Sequence, residues 1–204
     1  VKQLFIKAFN TAKKHKRLIL AFAFLYVVSL VAGMIAVKYG VSFATNLRDE
    51  TVKSVQSDEP FRTIFSYLEA GNLAGAIGVT FLFNFIVGAF FSTTLWGLLF
   101  FMPALITISR GFLVGAVYFG LFGSISIGVL AIGTLVLELG AYCFSAAAGT
   151  LLGWSLVRPQ AFGVKRRREA FGLAVGEMFY LYVFVVVLLL LGAVWEMGGI
   201  YLSR

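Results

Sequence analysis

From Leu73 to Val157 the chain carries only two ionisable side chains, Arg110 and Glu138, in an otherwise apolar or weakly polar run. A membrane-spanning helix needs about 20 mostly apolar residues, so the tract is long enough for several crossings. The rest of the chain agrees with this. Of its 204 residues, 60% are hydrophobic and 13% charged, against roughly 45–50% and 25% in soluble domains. The sequence therefore predicts an all-α, polytopic membrane helix bundle that forms a single transmembrane domain over residues 1–204, with no room for a separate soluble catalytic domain.

Before the tract, an apolar run from Leu18 to Val37 follows a basic segment, residues 1–17. The run is longer than the roughly 7–15 residues of a signal-peptide core and shows no persuasive cleavage site, so it is expected to stay as the first span. The last span is expected near Met178–Trp195, with Tyr180, Tyr182 and Trp195 near its ends, where interfacial aromatics belong. Lys2, Lys7, Lys13, Lys14, Lys16 and Arg17 precede the first span, and Arg158, Lys165, Arg166, Arg167 and Arg168 precede the last. Basic residues flanking spans mark the cytoplasmic side. They also account for the net charge of +8 without any nucleic-acid partner. The segment 38–72 has balanced charge and suits the outside, and 158–169 reads as a basic cytoplasmic loop. The tract must then cross an odd number of times. Three crossings fit, near 73–100, 104–122 and 127–157, with breaks at Met102–Pro103 and Gly123–Ser126. The expectation is about five helices in the cell membrane, N-terminus cytoplasmic and C-terminus outside.

Arg110 and Glu138 lie equally far from Ser124 on the two arms of a predicted hairpin. At 1.5 Å per residue both fall about 20 Å below the outer face, and Asn84 descends to about 16–18 Å in the preceding span. Intramembrane charges become tolerable chiefly by pairing, so a buried Arg110–Glu138 pair with Asn84 beside it is expected. The alternative is an Arg110 that snorkels to the cytoplasmic face along its own stem. Such a layer serves either as a structural register device or in handling a proton or solute.

Small residues recur every four positions, at Gly111 and Gly115 and at Ser145, Gly149 and Gly153. That spacing lets helices approach closely in lipid, within one chain or between copies in a homo-oligomer. In the outer segment, acidic Asp58 and Glu59, Pro60 and the closing Gly71 bracket a short helix. Its residues Phe61, Ile64, Phe65 and Leu68 share one apolar face, which could lie on the membrane, pack on the bundle or receive a partner.

No catalytic constellation emerges. His15, the only histidine, sits in the basic start, and Cys143, the only cysteine, lies in an apolar span. No metal-ligand spacing, cofactor motif or nucleophile–base pair is present. Glu177 and Glu196 fall at the ends of the last span and read as solvated interfacial carboxylates.

The same features resemble the stage II sporulation protein M family over most of the chain. F-L-F-N, ending at Asn84, is similar to the family's asparagine near the start of its second span, and R-G-F-L-V-G, Arg110 to Gly115, to its N-G-x-x-x-G element. Leu137 to Gly153 resembles the family's H-G-x-x-E-x-x-A and the small-residue run after it. Ala193 to Glu196 resembles the apolar-x-x-Glu near its end. The chain departs at Arg110, where the family often has Asn, and at Thr134–Leu135, where it often has His-Gly, so no role for that histidine carries over. The resemblance implies a non-enzymatic multispanning protein that acts as a scaffold for other membrane or envelope proteins. The competing expectation is a small-solute or ion transporter or channel built on the layer of Asn84, Arg110 and Glu138.

Overall fold

A computed structural model describes residues 2–120 and 125–203. The described residues form helices α1 (Lys2–Lys14), α2 (Lys16–Lys38), α3 (Ser42–Ser57), α4 (Phe61–Glu69) and α5 (Leu73–Phe83). A π-helical stretch, Asn84–Thr94, and a 3₁₀ turn, Leu95–Leu98, continue α5. Then come α6 (Met102–Tyr118), α7 (Ile125–Val157), a 3₁₀ turn at Pro159–Phe162 and α8 (Arg167–Leu202). Four helical stretches are long and apolar enough to cross a membrane: Lys16–Lys38, Leu73–Leu98, Ile127–Val157 and Arg167–Leu202. The protein is a multi-pass membrane helix bundle.

Local chemistry sets the breaks. Gly71, at φ +72°, ends α4 in a left-handed turn that a side chain would disfavour. Asn72 then caps α5, its side-chain oxygen accepting the Gly75 N–H at 2.9 Å. Pro103 sits in the first turn of α6, where its missing N–H leaves no bond unmade.

Alongside large core residues such as Tyr26, Leu181 and Leu189, the bundle buries many small and weakly polar residues and turns many large apolar ones outward. Ala146, Ala147, Ala148, Ser145, Thr93 and Thr94 are buried, whereas Leu20, Phe24 and Val27 of α2 are exposed. Lipid outside offers no hydrophobic drive to bury leucine, so close backbone approach and hydroxyl hydrogen bonds hold such helices together. Two seams show this. A Cβ built on Gly115 of α6 would stand 1.9 Å from the Leu30 carbonyl oxygen of α2, and one on Gly33 of α2 would stand 2.1 Å from that of Phe112. Gly111 faces Ser29 across the same seam. In the second seam Gly97 meets the backbone of Gly149, and Gly153 meets the Gly97 carbonyl. The small-residue spacing therefore serves contacts within the chain.

The structure departs from the sequence expectations in several places. The stretch expected to be one helix over 73–100 changes pitch at Asn84, and α6 is shorter than the expected span 104–122. Gly123 and Ser124, where the hairpin was expected to turn, lie outside the described residues. The basic start forms a helix of its own, α1, and its last two basic residues, Lys16 and Arg17, open α2. The segment 38–72 holds α3 as well as the expected short helix. The α3 helix docks on α6, with Ala44 buried and the Phe43 and Phe112 rings 6.1 Å apart. The apolar face of α4 is occupied by the bundle. Ile64 and Leu68 are buried with Ala76 of α5 and Met197 of α8, and Phe61 and Phe65 pack around them.

Candidate functional site

The intramembrane polar residues converge on the π-helical stretch. A π-helix is wider than an α-helix and leaves some carbonyls free to accept from side chains. Here the Gly88 carbonyl is the shared acceptor. It receives hydrogen bonds from the Ser92 hydroxyl at 2.9 Å, the Thr93 hydroxyl at 2.9 Å and the Arg110 guanidinium at 3.1 Å. Arg110 also donates to the Ser92 hydroxyl at 3.0 Å and to that of Thr93 at 3.3 Å. Its guanidinium carbon stands 4.0 Å from the centroid of the Tyr142 ring on α7, within range of a cation–π contact. Arg110 thus ties α6 to an irregular backbone that lipid could not satisfy.

Tyr142 joins this half of the layer to the other. Its hydroxyl donates to the Asn84 side-chain oxygen at 3.1 Å, and the Asn84 amide donates to a Glu138 carboxylate oxygen at 2.8 Å. The order across the layer is guanidinium, ring face, phenol, amide, carboxylate. The direct Arg110–Glu138 pair expected from equal depth is not formed: among the described residues Arg110 has no ion-pair partner. The physical reason is that Tyr142, one turn from Glu138 on α7, places its ring in the gap and carries the contact through Asn84. Snorkelling is not needed either, since three acceptors and an aromatic face surround the guanidinium. The departure at Arg110 from the family's asparagine fits this arrangement, because only a long cationic side chain reaches both Gly88 and Tyr142.

A second polar node lies at the seam with α7. The Ser145 hydroxyl donates to the Ala89 carbonyl at 2.7 Å, the Thr94 hydroxyl donates to the Ser145 carbonyl at 3.0 Å, and the Tyr182 hydroxyl of α8 donates to Thr94 at 2.7 Å. Sequence reading singled out Ser145 for its size alone, missed Thr93, Thr94 and Tyr142, and took Tyr182 for an interfacial aromatic, whereas it is buried against Thr94. Hydroxyls within apolar runs give no signal unless the helix facing them is known. Thr80 is the one described residue with a buried side-chain atom that lacks a partner.

Two of the three carboxylates of α8, Glu177 and Glu196, also differ from expectation. Glu177 is not simply solvated. It accepts from the Lys14 ammonium and meets His15 Nε2 at 2.7 Å, which pins the junction of α1 and α2 to α8. Glu196 is half-buried, one turn beyond Gly192, whose Cβ would meet Glu138. It therefore borders the layer.

Among the described residues no group of three or more His, Cys, Asp or Glu side chains is placed to hold a metal ion. Of five clefts on the described surface, none is lined by Asn84, Arg110 or Glu138. The family profile described as Stage II sporulation protein M matches residues 21–197, most of the chain. No curated protein and no solved structure matches it.

Proposed function

The chain belongs to the stage II sporulation protein M family, and from that premise we propose that it is a non-catalytic membrane scaffold or assembly partner for other membrane or envelope proteins. The observation that carries this reading is the closure of the polar layer upon itself. Arg110 spends its donors on Gly88, Ser92 and Thr93, and Asn84 bridges Tyr142 to Glu138. A pathway for solute or ions needs polar groups left over for the cargo and a cleft that reaches them. The clefts on the described surface lie elsewhere. A layer of this kind fixes the register of the helices and holds one rigid shape for partners to meet.

The second reading, a small-solute or ion carrier, is favoured by the Glu138 carboxylate, which accepts from the Asn84 amide and has no ion-pair partner among the described residues. The scaffold reading includes five crossings, with residues 1–17 and 158–169 on the cytoplasmic side, supported by the two basic clusters that precede α2 and α8.

A tagged pull-down from native membranes in mild detergent, read by mass spectrometry, tests the proposal. The scaffold predicts a recurring membrane or envelope protein in amounts similar to the bait. A chain that purifies alone, and whose proteoliposomes show a flux lost in Glu138→Gln, would replace the scaffold with the carrier.

A further inference from the structure

We propose that α1, together with the adjoining faces of the π-helical stretch and of α8, forms a binding site for an anionic glycerophospholipid of the leaflet in which α1 lies. The observation starts from how α1 is held. Ala8 is fully buried and Ala12 packs on the core, whereas Phe5, Ile6 and Phe9 are 48%, 50% and 64% exposed. The helix docks by its smallest apolar residues and leaves its largest outside, which is stable only where the outside is hydrocarbon.

Those exposed rings border two adjoining clefts that share Phe5. One, of about 610 Å³, is walled by apolar side chains that include Leu4, Phe85, Phe90, Val183 and Val187. The other, of about 540 Å³, is lined by Lys2 with Ile6, Phe9, Asn10 and Phe184. Both volumes fall within the range of ligand sites. The first cleft runs along α8 within its membrane-spanning length, as an acyl chain would. The second holds the Lys2 stem beside Phe184, from where its ammonium can reach toward a headgroup phosphate.

Charge complementarity selects the headgroup. Helix α1 carries Lys2, Lys7, Lys13 and Lys14 and no acidic residue. The acid that meets it from α8, Glu177, is taken up by Lys14 and His15. Lys7 stands over the Tyr180 ring at 6.0 Å. Lys2 and Lys13 share the outward stripe with Ile6 and Phe9 by helical spacing, and the described ion pairs include neither of them. Each such lysine near a bilayer surface favours an anionic lipid by a factor of about five at physiological salt.

The test is native mass spectrometry of the full chain released from bilayers of mixed phosphatidylcholine and phosphatidylglycerol. The expected result is phosphatidylglycerol retained above its bulk fraction. Lys2→Gln should lower that enrichment about fivefold, while Lys165→Gln, the same change on the loop between α7 and α8 and outside both clefts, should leave it in place. Val187→Trp, which fills the apolar cleft without touching a charge, should reduce the number of lipids retained. Equal retention of the two lipids would overturn the proposal. So would equal losses in the two lysine variants, which would mark diffuse surface charge, or full retention in Val187→Trp, which would place the bound lipid elsewhere.

Discussion

At the scale of single residues, the layer around Arg110 separates what charge announces from what geometry decides. Asn84, Arg110 and Glu138 stand out in the sequence because a polar or charged group in lipid demands a partner. Which partner each takes depends on helix rotation and on the pitch change at Asn84, and neither leaves a mark in the letters. Tyr142 is the clearest case. In the sequence it is one aromatic among many, yet its ring receives the guanidinium and its hydroxyl holds the amide that holds the carboxylate. The chain of contacts predicts a specific pattern of coupling. Hydrogen bonds between membrane helices are worth about 0.6 kcal/mol on average and at most about 1.7. Asn84→Ala and Glu138→Ala should therefore be non-additive by about 1 kcal/mol in detergent unfolding. Arg110→Ala and Glu138→Ala, which meet only through Tyr142 and Asn84, should couple more weakly than that. A larger coupling in the second cycle than in the first would restore the direct ion pair.

At the scale of elements, hydropathy and positive charge made the long spans legible, because a span is defined by composition over about 20 residues and needs no knowledge of its neighbours. The α3 helix was not legible. Its residues, Ser42–Ser57, are mostly polar, and the helix is held by docking Phe43 and Ala44 on the bundle. The α4 helix was read from its end signals, but what covers its apolar face could be learned only from the fold. The small-residue spacing was legible as a contact signal, though not which helix it contacts. The seam between α2 and α6 gives that signal a quantitative form. Gly115→Ala would drive a methyl group to 1.9 Å from the Leu30 carbonyl oxygen, so the two helices must separate. The expected cost is about 2 kcal/mol, the scale of overpacking in a close-fitted core. Gly172→Ala in α8, where an added Cβ meets nothing within 4 Å, should cost nothing measurable. Thermal unfolding in detergent compares the two. Equal stability of both variants would mean that the seam opens freely.

At the scale of the whole molecule, the five crossings we propose would place the two basic clusters on one side and the end of α8 on the other. In a chain whose Cys143 is replaced by alanine, Lys165→Cys and Ser203→Cys should react with an impermeant thiol reagent from opposite faces of sealed vesicles. Labelling from the same face would remove one crossing, and α6 would be the helix to give up.

A crossing by α6, as proposed, would carry a further consequence. Its 17 residues reach about 26 Å, short of the hydrocarbon thickness of about 30 Å, while the 36 residues of α8 extend about 54 Å. Leu105 and Ile108 of α6 face outward, so the lipids beside them must shorten to meet the helix, at a fraction of a kcal/mol for each ångström. The molecule then sits in a dimple of its own making, deeper on one flank than on the other. Two proteins with matching dimples lower the total area of strained bilayer by lying flank to flank. The membrane itself would then draw such neighbours together before any side chain of one touched the other.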